Sequence, residues 1–159
     1  MNKKRLLIKL HWFYTLELNQ VDLYMAQSKI FKNQDKKLGL FFERIALIEQ
    51  NHVDNIAKKI RELGGNPTRL GDIVAPNLGK IAGNTMGLSG VKIALKANRL
   101  LESKAISDYE LLIKDLEKDN SHPELIKVLE HNLVDEHLHT AWFEQELNIL
   151  NKQKQKKRL

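Results

Sequence analysis

Along four stretches of this chain apolar residues recur at alternating steps of four and three, which places them on one face of an α-helix. The first runs from Arg5 to about Phe31, through Leu7, Leu10, Tyr14, Glu17, Val21, Tyr24 and Ser28. A polar turn from Lys32 to Lys37 separates it from a second helix, about Leu38 to Leu63, striped by Phe42, Ile45, Glu49, His52, Ile56, Ile60 and Leu63. Gly64 and Gly65 end that helix as C-cap residues, and Asn66-Pro67 reinforces the break. From residue 66 to about 91, Pro67, Gly71, Pro76, Gly79, Gly83, Gly87 and Gly90 interrupt any regular pattern. That segment is too long for a hairpin turn and long enough to run back along a bundle as a crossover, with Leu78 to Gly90 partly helical. A third helix spans about Val91 to Glu117, with Leu95, Asn98, Glu102, Ala105, Tyr109, Leu112 and Leu116 on its stripe. Ser121 and Glu124 form a capping box for a fourth, which carries Leu125, Leu129, Asn132, Glu136, His139, Phe143, Leu147 and Leu150 and ends near Leu150.

The polar residues that break these stripes repeat between the two halves. Glu17 and Tyr24 are seven apart, as are Glu102 and Tyr109; Glu49-x-x-His52 follows Glu17 by 32 residues, and Glu136-x-x-His139 follows Glu102 by 34. Two helical hairpins of matching design joined by a crossover predict an all-α, antiparallel four-helix bundle with an approximate two-fold axis through its middle. The expected division is residues 1–151 for the bundle and 152–159 for a basic tail.

On a helix, three residues of separation put the carboxylate and imidazole of each Glu-x-x-His pair on one face, here in the middle of the apolar seam. Burying a carboxylate costs several kcal/mol unless a cation, a hydrogen-bond network or a metal compensates. Four glutamates and two histidines in this order match the dinuclear carboxylate site of ferritin-like bundles, one Glu from each of two helices and one Glu-x-x-His from each of the others. Carboxylate and imidazole suit iron or manganese, so the expected cofactor is a pair of iron ions, with manganese as the alternative. Glu17, Glu49 and His52 are assigned to one ion and Glu102, Glu136 and His139 to the other, with Glu49 and Glu136 bridging. Without metal, several of the carboxylates should stay protonated. The competing reading is that all six are core polar groups satisfied by one another.

Around this set, Asp135 either accepts a hydrogen bond from the second nitrogen of His52 across the bundle or is a solvated helix charge. Tyr24 and Tyr109 either line the site as hydrogen-bond donors or redox-active phenols, or fill the core, the latter expected of at least one. His11, His122, His131 and His137 lie off the seam and are read as surface or helix-end residues.

Composition narrows the classes without changing the centre. With no cysteine in 159 residues, disulfides, thiolate metal sites and iron–sulfur clusters are excluded, and a reducing cytoplasm is the expected location. No apolar run reaches the ~20 residues of a membrane span, and the basic, then apolar start reads as helix and not as a signal peptide. Of the 26 basic residues behind the net charge of +6, eight are Lys3, Lys4, Arg5, Lys152, Lys154, Lys156, Lys157 and Arg158, leaving 18 against 20 acidic residues in the body. The ends are read as frayed, solvated termini, and no nucleic-acid partner is expected.

These residues also carry a resemblance. Glu17-x6-Tyr24, Glu49-Gln50-Asn51-His52, Pro67-Thr68, the glycines from Gly79 to Gly90, Glu102-x6-Tyr109 and Asp135-Glu136-x-x-His139 resemble the demethoxyubiquinone hydroxylase family, over about residues 12 to 145. The resemblance implies a di-iron centre that activates dioxygen and hydroxylates a quinone ring, a reduced nicotinamide as ultimate electron source, and peripheral contact with the membrane where the quinone resides. Leu138 stands where that family usually has an acidic residue, Thr140 where it often has a second histidine, and Lys80, Lys92, Lys96 and Arg99 make the approach to Glu102 more basic than a quinone entrance.

Three functions follow. The first is a monooxygenase acting on a quinone ring in a dry pocket near Ile45, Leu95 and Phe143. Iron handling or peroxide defence by a ferroxidase or peroxidase is the alternative, with dioxygen or peroxide as reactant. A non-enzymatic helical adaptor is the third, and it predicts that Glu49→Ala leaves function unchanged. The pattern allows a homodimer without requiring one.

Overall fold

The computed structural model describes residues 1–70 and 88–156, and within them the chain is four helices: α1 (Lys3–Lys32), α2 (Lys36–Glu62), α3 (Leu88–Lys118) and α4 (Pro123–Lys156). Each packs beside two others, α1 against α2 and α3, and α4 against α3 and α2. All neighbours run antiparallel: Gln27 pairs with Asn98 where Trp12 pairs with Asp108, and Lys92 meets Asn151 where Arg99 meets Glu144. The protein is therefore an all-α four-helix bundle. Of the expected crossover, residues 71–87 lie outside the described residues, as does its helical stretch up to Gly87. Its start turns back along α1, where the Leu70 amide donates to Thr15 Oγ1 at 2.9 Å.

Local chemistry sets the helix ends. Asn2 caps α1, its Oδ1 accepting from the Arg5 amide at 2.9 Å, and Lys3, Lys4 and Arg5 form the exposed first turn of that helix. Asp35 caps α2 through the amides of Lys37 and Leu38. The turn before it is tight: a Cβ on Gly39 would fall 2.5 Å from Lys32 Cα, so only glycine lets the two helices approach this closely. At the other end of α2, Gly64 takes φ 72°, while the amides of Gly64 and Gly65 return to the carbonyls of Arg61 and Ile60, a complete Schellman closure.

Two expectations about α4 are corrected. Ser121 is not its N-cap: the helix starts at Pro123, and the His122 carbonyl accepts from the amides of Leu125 and Ile126, with His122 at φ 56°. Proline is suited to that first position because its missing N–H would have had no partner. The helix also continues past Leu150 to Lys156, since no glycine or proline stops it there.

The α1 stripe needs a shift. Leu7, Tyr14 and Val21 are only half-buried, whereas Leu6, Leu10, Phe13, Glu17, Gln20, Tyr24, Gln27 and Phe31 are buried. Both series alternate four and three and share Leu10, Glu17 and Tyr24. They differ in which flank of that line turns inward, and packing against α3 selects the Phe13–Gln20–Gln27 flank. On α2, α3 and α4 the expected stripes are buried apart from Leu63 and Leu150, which are half-buried.

The hydrophobic interior is split in two along the bundle. One cluster holds Leu23, Tyr24, Phe31, Phe42, Ile45, Leu95 and Phe143; the other holds Leu10, Phe13, Ile56, Tyr109, Leu112 and Leu129. Between them lies a polar layer. No helix among the described residues is long and apolar enough to cross a membrane.

Candidate metal centre

Each helix contributes to the polar layer from the middle of its buried face: Glu17 from α1, Glu49 and His52 from α2, Glu102 from α3, Glu136 and His139 from α4. All six side chains are at most 4% exposed. Their ligand atoms fall into two overlapping quartets, Glu17–Glu49–His52–Glu136 and Glu49–Glu102–Glu136–His139, with the atoms of each quartet within 4.8 Å of one another. Glu49 and Glu136 belong to both, as bridging carboxylates would. His52 Nδ1 lies 3.0 Å from Glu49 Oε2 and 3.3 Å from Glu136 Oε1; His139 Nδ1 lies 3.1 Å from Glu49 Oε1.

The surrounding residues hold this arrangement in place. The Tyr109 hydroxyl donates to Glu17 Oε1 and the Tyr24 hydroxyl to Glu102 Oε1, each reaching across the α1–α3 interface. Neither phenol is mere filler, contrary to the expectation for at least one of them, although both rings also pack in the hydrophobic clusters. Asn132 donates to the Tyr109 hydroxyl at 3.1 Å, and Gln20 donates to Glu102 Oε2 at 2.8 Å. Asp135, with its side chain 27% exposed, lies 3.2 Å from His52 Nε2 through Oδ2. His11 and His122 are half-buried and His131 and His137 exposed, and none belongs to either quartet.

Gln20, and the reciprocal pair Gln27–Asn98 (3.0 and 2.7 Å) two turns further along α1, lie outside the expected layer. The sequence does carry a signal. Phe13, Gln20 and Gln27 recur every seventh residue on the flank of α1 that the first stripe left outside.

Burial and mutual repulsion set the protonation of the metal-free layer. Desolvation, then the charge of Glu49, pushes Glu136 up to about 8. Burial also raises Glu49 and Glu102 well above the ordinary carboxylate range, with neighbouring carboxylates adding to it. Glu17 goes the other way: burial opposes ionisation, but the contacts with His52 outweigh it and its pKa is lowered. Burial pulls His52 down, yet Asp135 and three glutamates overcome that and hold the imidazolium well above its usual range. Burial lowers His139. Burial and like charge thus favour the protonated form of Glu49, Glu102 and Glu136, while mutual contact favours the charged forms of Glu17 and His52.

The donor set fits a pair of divalent cations. Glu17 Oε2, Glu49 Oε1, both oxygens of Glu136 and both nitrogens of His139 are buried without a well-formed hydrogen bond, although His139 Nδ1 approaches Glu49 Oε1 to 3.1 Å and His52 Nδ1 approaches Glu136 Oε1 to 3.3 Å. Buried polar atoms are rarely left so; cations in the shared volume would satisfy the carboxylate oxygens and one nitrogen of His139, each residue of the quartets offering one ligand atom.

A model of the ferritin-like domain matches residues 9–152. Among solved structures, the fold resembles the Desulfovibrio desulfuricans bacterioferritin, described with its diiron site, with a TM-score of 0.78 and 22% sequence identity over 94% of this chain and 82% of that one. At that identity the likeness concerns the fold. No curated protein sequence matches this one.

Proposed function

This chain belongs to the ferritin-like domain family, and from that premise we propose that it is a di-iron oxidase of small inorganic reactants, oxidising ferrous iron with dioxygen or peroxide in iron handling or oxidative-stress defence. One observation carries the reading: two quartets of buried donors share Glu49 and Glu136 and are closed off by packed side chains on both sides. Two ferrous ions held there would supply two electrons, which with two protons reduce dioxygen to hydrogen peroxide or hydrogen peroxide to two waters.

The chain's own residues account for the rest. Glu49 and Glu136, which belong to both quartets, would hold both cations, and the four carboxylates would offset the charge of two divalent ions. Tyr109 and Tyr24 keep Glu17 and Glu102 turned inward. Phe42 and Phe143, whose ring centroids lie 6.2 Å apart, pack against Tyr24 and keep bulk water from that side. Ile45, Leu95 and Phe143, expected to shape an organic pocket, are each at most 1% exposed and sit in the same cluster. A quinone ring would have to displace them, whereas dioxygen and peroxide are small enough to enter by local fluctuation. This favours inorganic reactants.

The quinone-ring monooxygenase remains the second reading, because Pro67-Thr68 and the Glu-x6-Tyr spacing resemble that branch. Metal-stripped protein loaded anaerobically with ferrous iron and then mixed with oxygen separates the two. Uptake of one dioxygen per two ferrous ions, without added organic substrate and absent in Glu49→Ala, supports the oxidase. A short-chain quinone product heavier by one oxygen, formed only with reductant, overturns it in favour of the monooxygenase.

A further inference from the structure

The two-fold repeat that builds the site is broken at two positions, and both breaks favour the same half. The first concerns the histidines. His52 Nε2 is held by Asp135 at 3.2 Å, which leaves Nδ1 as the nitrogen facing Glu49, Glu136 and Glu17 at 3.0, 3.3 and 3.7 Å. Asp135 immediately precedes Glu136; in the other half, the residue immediately preceding Glu49 is Ile48. An isoleucine offers no acceptor, and His139 Nε2 is buried without a partner. One imidazole is thus held in orientation from outside by a carboxylate, while the outer nitrogen of the other has no partner among the described residues.

The second break concerns the terminal glutamates. Glu17 accepts from Tyr109 on Oε1 alone, and its Oε2 is buried without a partner, facing the site. Glu102 accepts from Tyr24 on Oε1 and from Gln20 on Oε2. Gln20 lies three residues after Glu17; three residues after Glu102 stands Ala105, which is fully buried and has no side-chain donor. A carboxylate with both oxygens already accepting hydrogen bonds is the poorer ligand, because a cation must share or displace a donor to use either of them.

We propose that the two halves of this site bind divalent metal unequally and fill in order, the Glu17–His52 half first and the Glu102–His139 half second, with Asp135 and Gln20 as the positioning residues that set the difference. The inference rests on the metal-binding reading above and adds which position is the tighter. A carboxylate behind a ligating imidazole is worth about 10- to 100-fold in metal affinity, so the two dissociation constants should differ by at least about tenfold.

The test uses the full, metal-stripped chain titrated with cobaltous ion at mildly alkaline pH, where protons compete least, followed by calorimetry and by the visible cobalt spectrum. The native chain should bind two ions in two separate steps, and crystals grown with one equivalent should show anomalous density beside His52. Ile48→Asp should tighten the second step about tenfold and leave the first in place. Gln20→Leu should move the second step in the same direction. Asp135→Ile should weaken the first step by about 10- to 100-fold and merge the two. Two ions bound with one indistinguishable constant, or first density beside His139, overturns the proposal while leaving the metal centre standing. No binding of cobalt at all overturns both.

Discussion

Glu49 on α2 lies 3.1 Å from the imidazole of His139 on α4 and 3.0 Å from that of His52 on its own helix. A single buried carboxylate thus touches both histidines, and Glu136 completes the link from the opposite side, 3.3 Å from His52. The layer is one connected unit, so its charge state is collective, and removing one carboxylate changes the setting of the others.

The pH dependence of the metal-free protein follows. Glu49 and Glu102 are raised well above their ordinary pKa, and Glu136 is raised to about 8. A group with its pKa raised in the folded state contributes stability that is fully present below its unfolded value and lost as pH rises through the folded one. The raised His52 adds to the loss on the alkaline side, whereas the lowered Glu17 and Asp135 contribute stability that is lost in acid. The metal-free chain should therefore melt at higher temperature in mild acid than above pH 8, by roughly 5–10 °C for a few kcal/mol in a chain of this size. Thermal melts across that range, with and without chelator, check it.

Metal should reverse the effect. Cations that bind only the folded chain stabilise it by about 4 kcal/mol at a thousandfold excess over Kd, so melting at pH 8 should rise on adding manganous or ferrous ion. Glu49→Gln gives a more discriminating outcome: at that pH it raises the melting temperature of the metal-free chain, because glutamine need not take up a proton on folding as the raised Glu49 carboxyl must, yet it abolishes the rise on adding metal. Differential scanning calorimetry reads both changes.

The two tyrosines should not be equivalent. Tyr109→Phe leaves Glu17 with one donor fewer and also strands Asn132, which donates to that hydroxyl at 3.1 Å. Tyr24→Phe leaves Glu102 still held by Gln20 at 2.8 Å. Leaving a buried polar group unsatisfied costs about 1–3 kcal/mol; urea unfolding of the metal-free chain should place Tyr109→Phe about 1–2 kcal/mol below Tyr24→Phe.

Gln27 and Asn98 form a closed, fully buried pair through hydrogen bonds of 3.0 and 2.7 Å. Asn98→Leu alone strands the Gln27 amide and should cost about 2–3 kcal/mol. The double change Gln27→Leu, Asn98→Leu should recover much of that, because neither partner is then left behind. A double-mutant cycle in urea measures the coupling.

What could be read before the fold was seen follows from the geometry of helices. Glu-x-x-His pairs in otherwise apolar seams place two ligands on one face whatever surrounds them, and the repeat of Glu17–Tyr24 as Glu102–Tyr109 sets the helices in register, so the six residues that meet were legible one by one. Which flank of α1 turns inward was not, because two stripes share Leu10, Glu17 and Tyr24 and only packing against α3 chooses between them. Gln20 was missed for that reason. Ser121 was misjudged as a cap because the capping-box spacing takes no account of Pro123, which starts the helix itself.

Metal analysis of the full chain purified without added metal, alongside its Glu49→Gln variant, decides whether the four helices meet around two cations. The native chain should carry two ions of iron and the variant far fewer. A native chain that carries no transition metal as purified, and takes up none when offered ferrous or manganous ion, would contradict it.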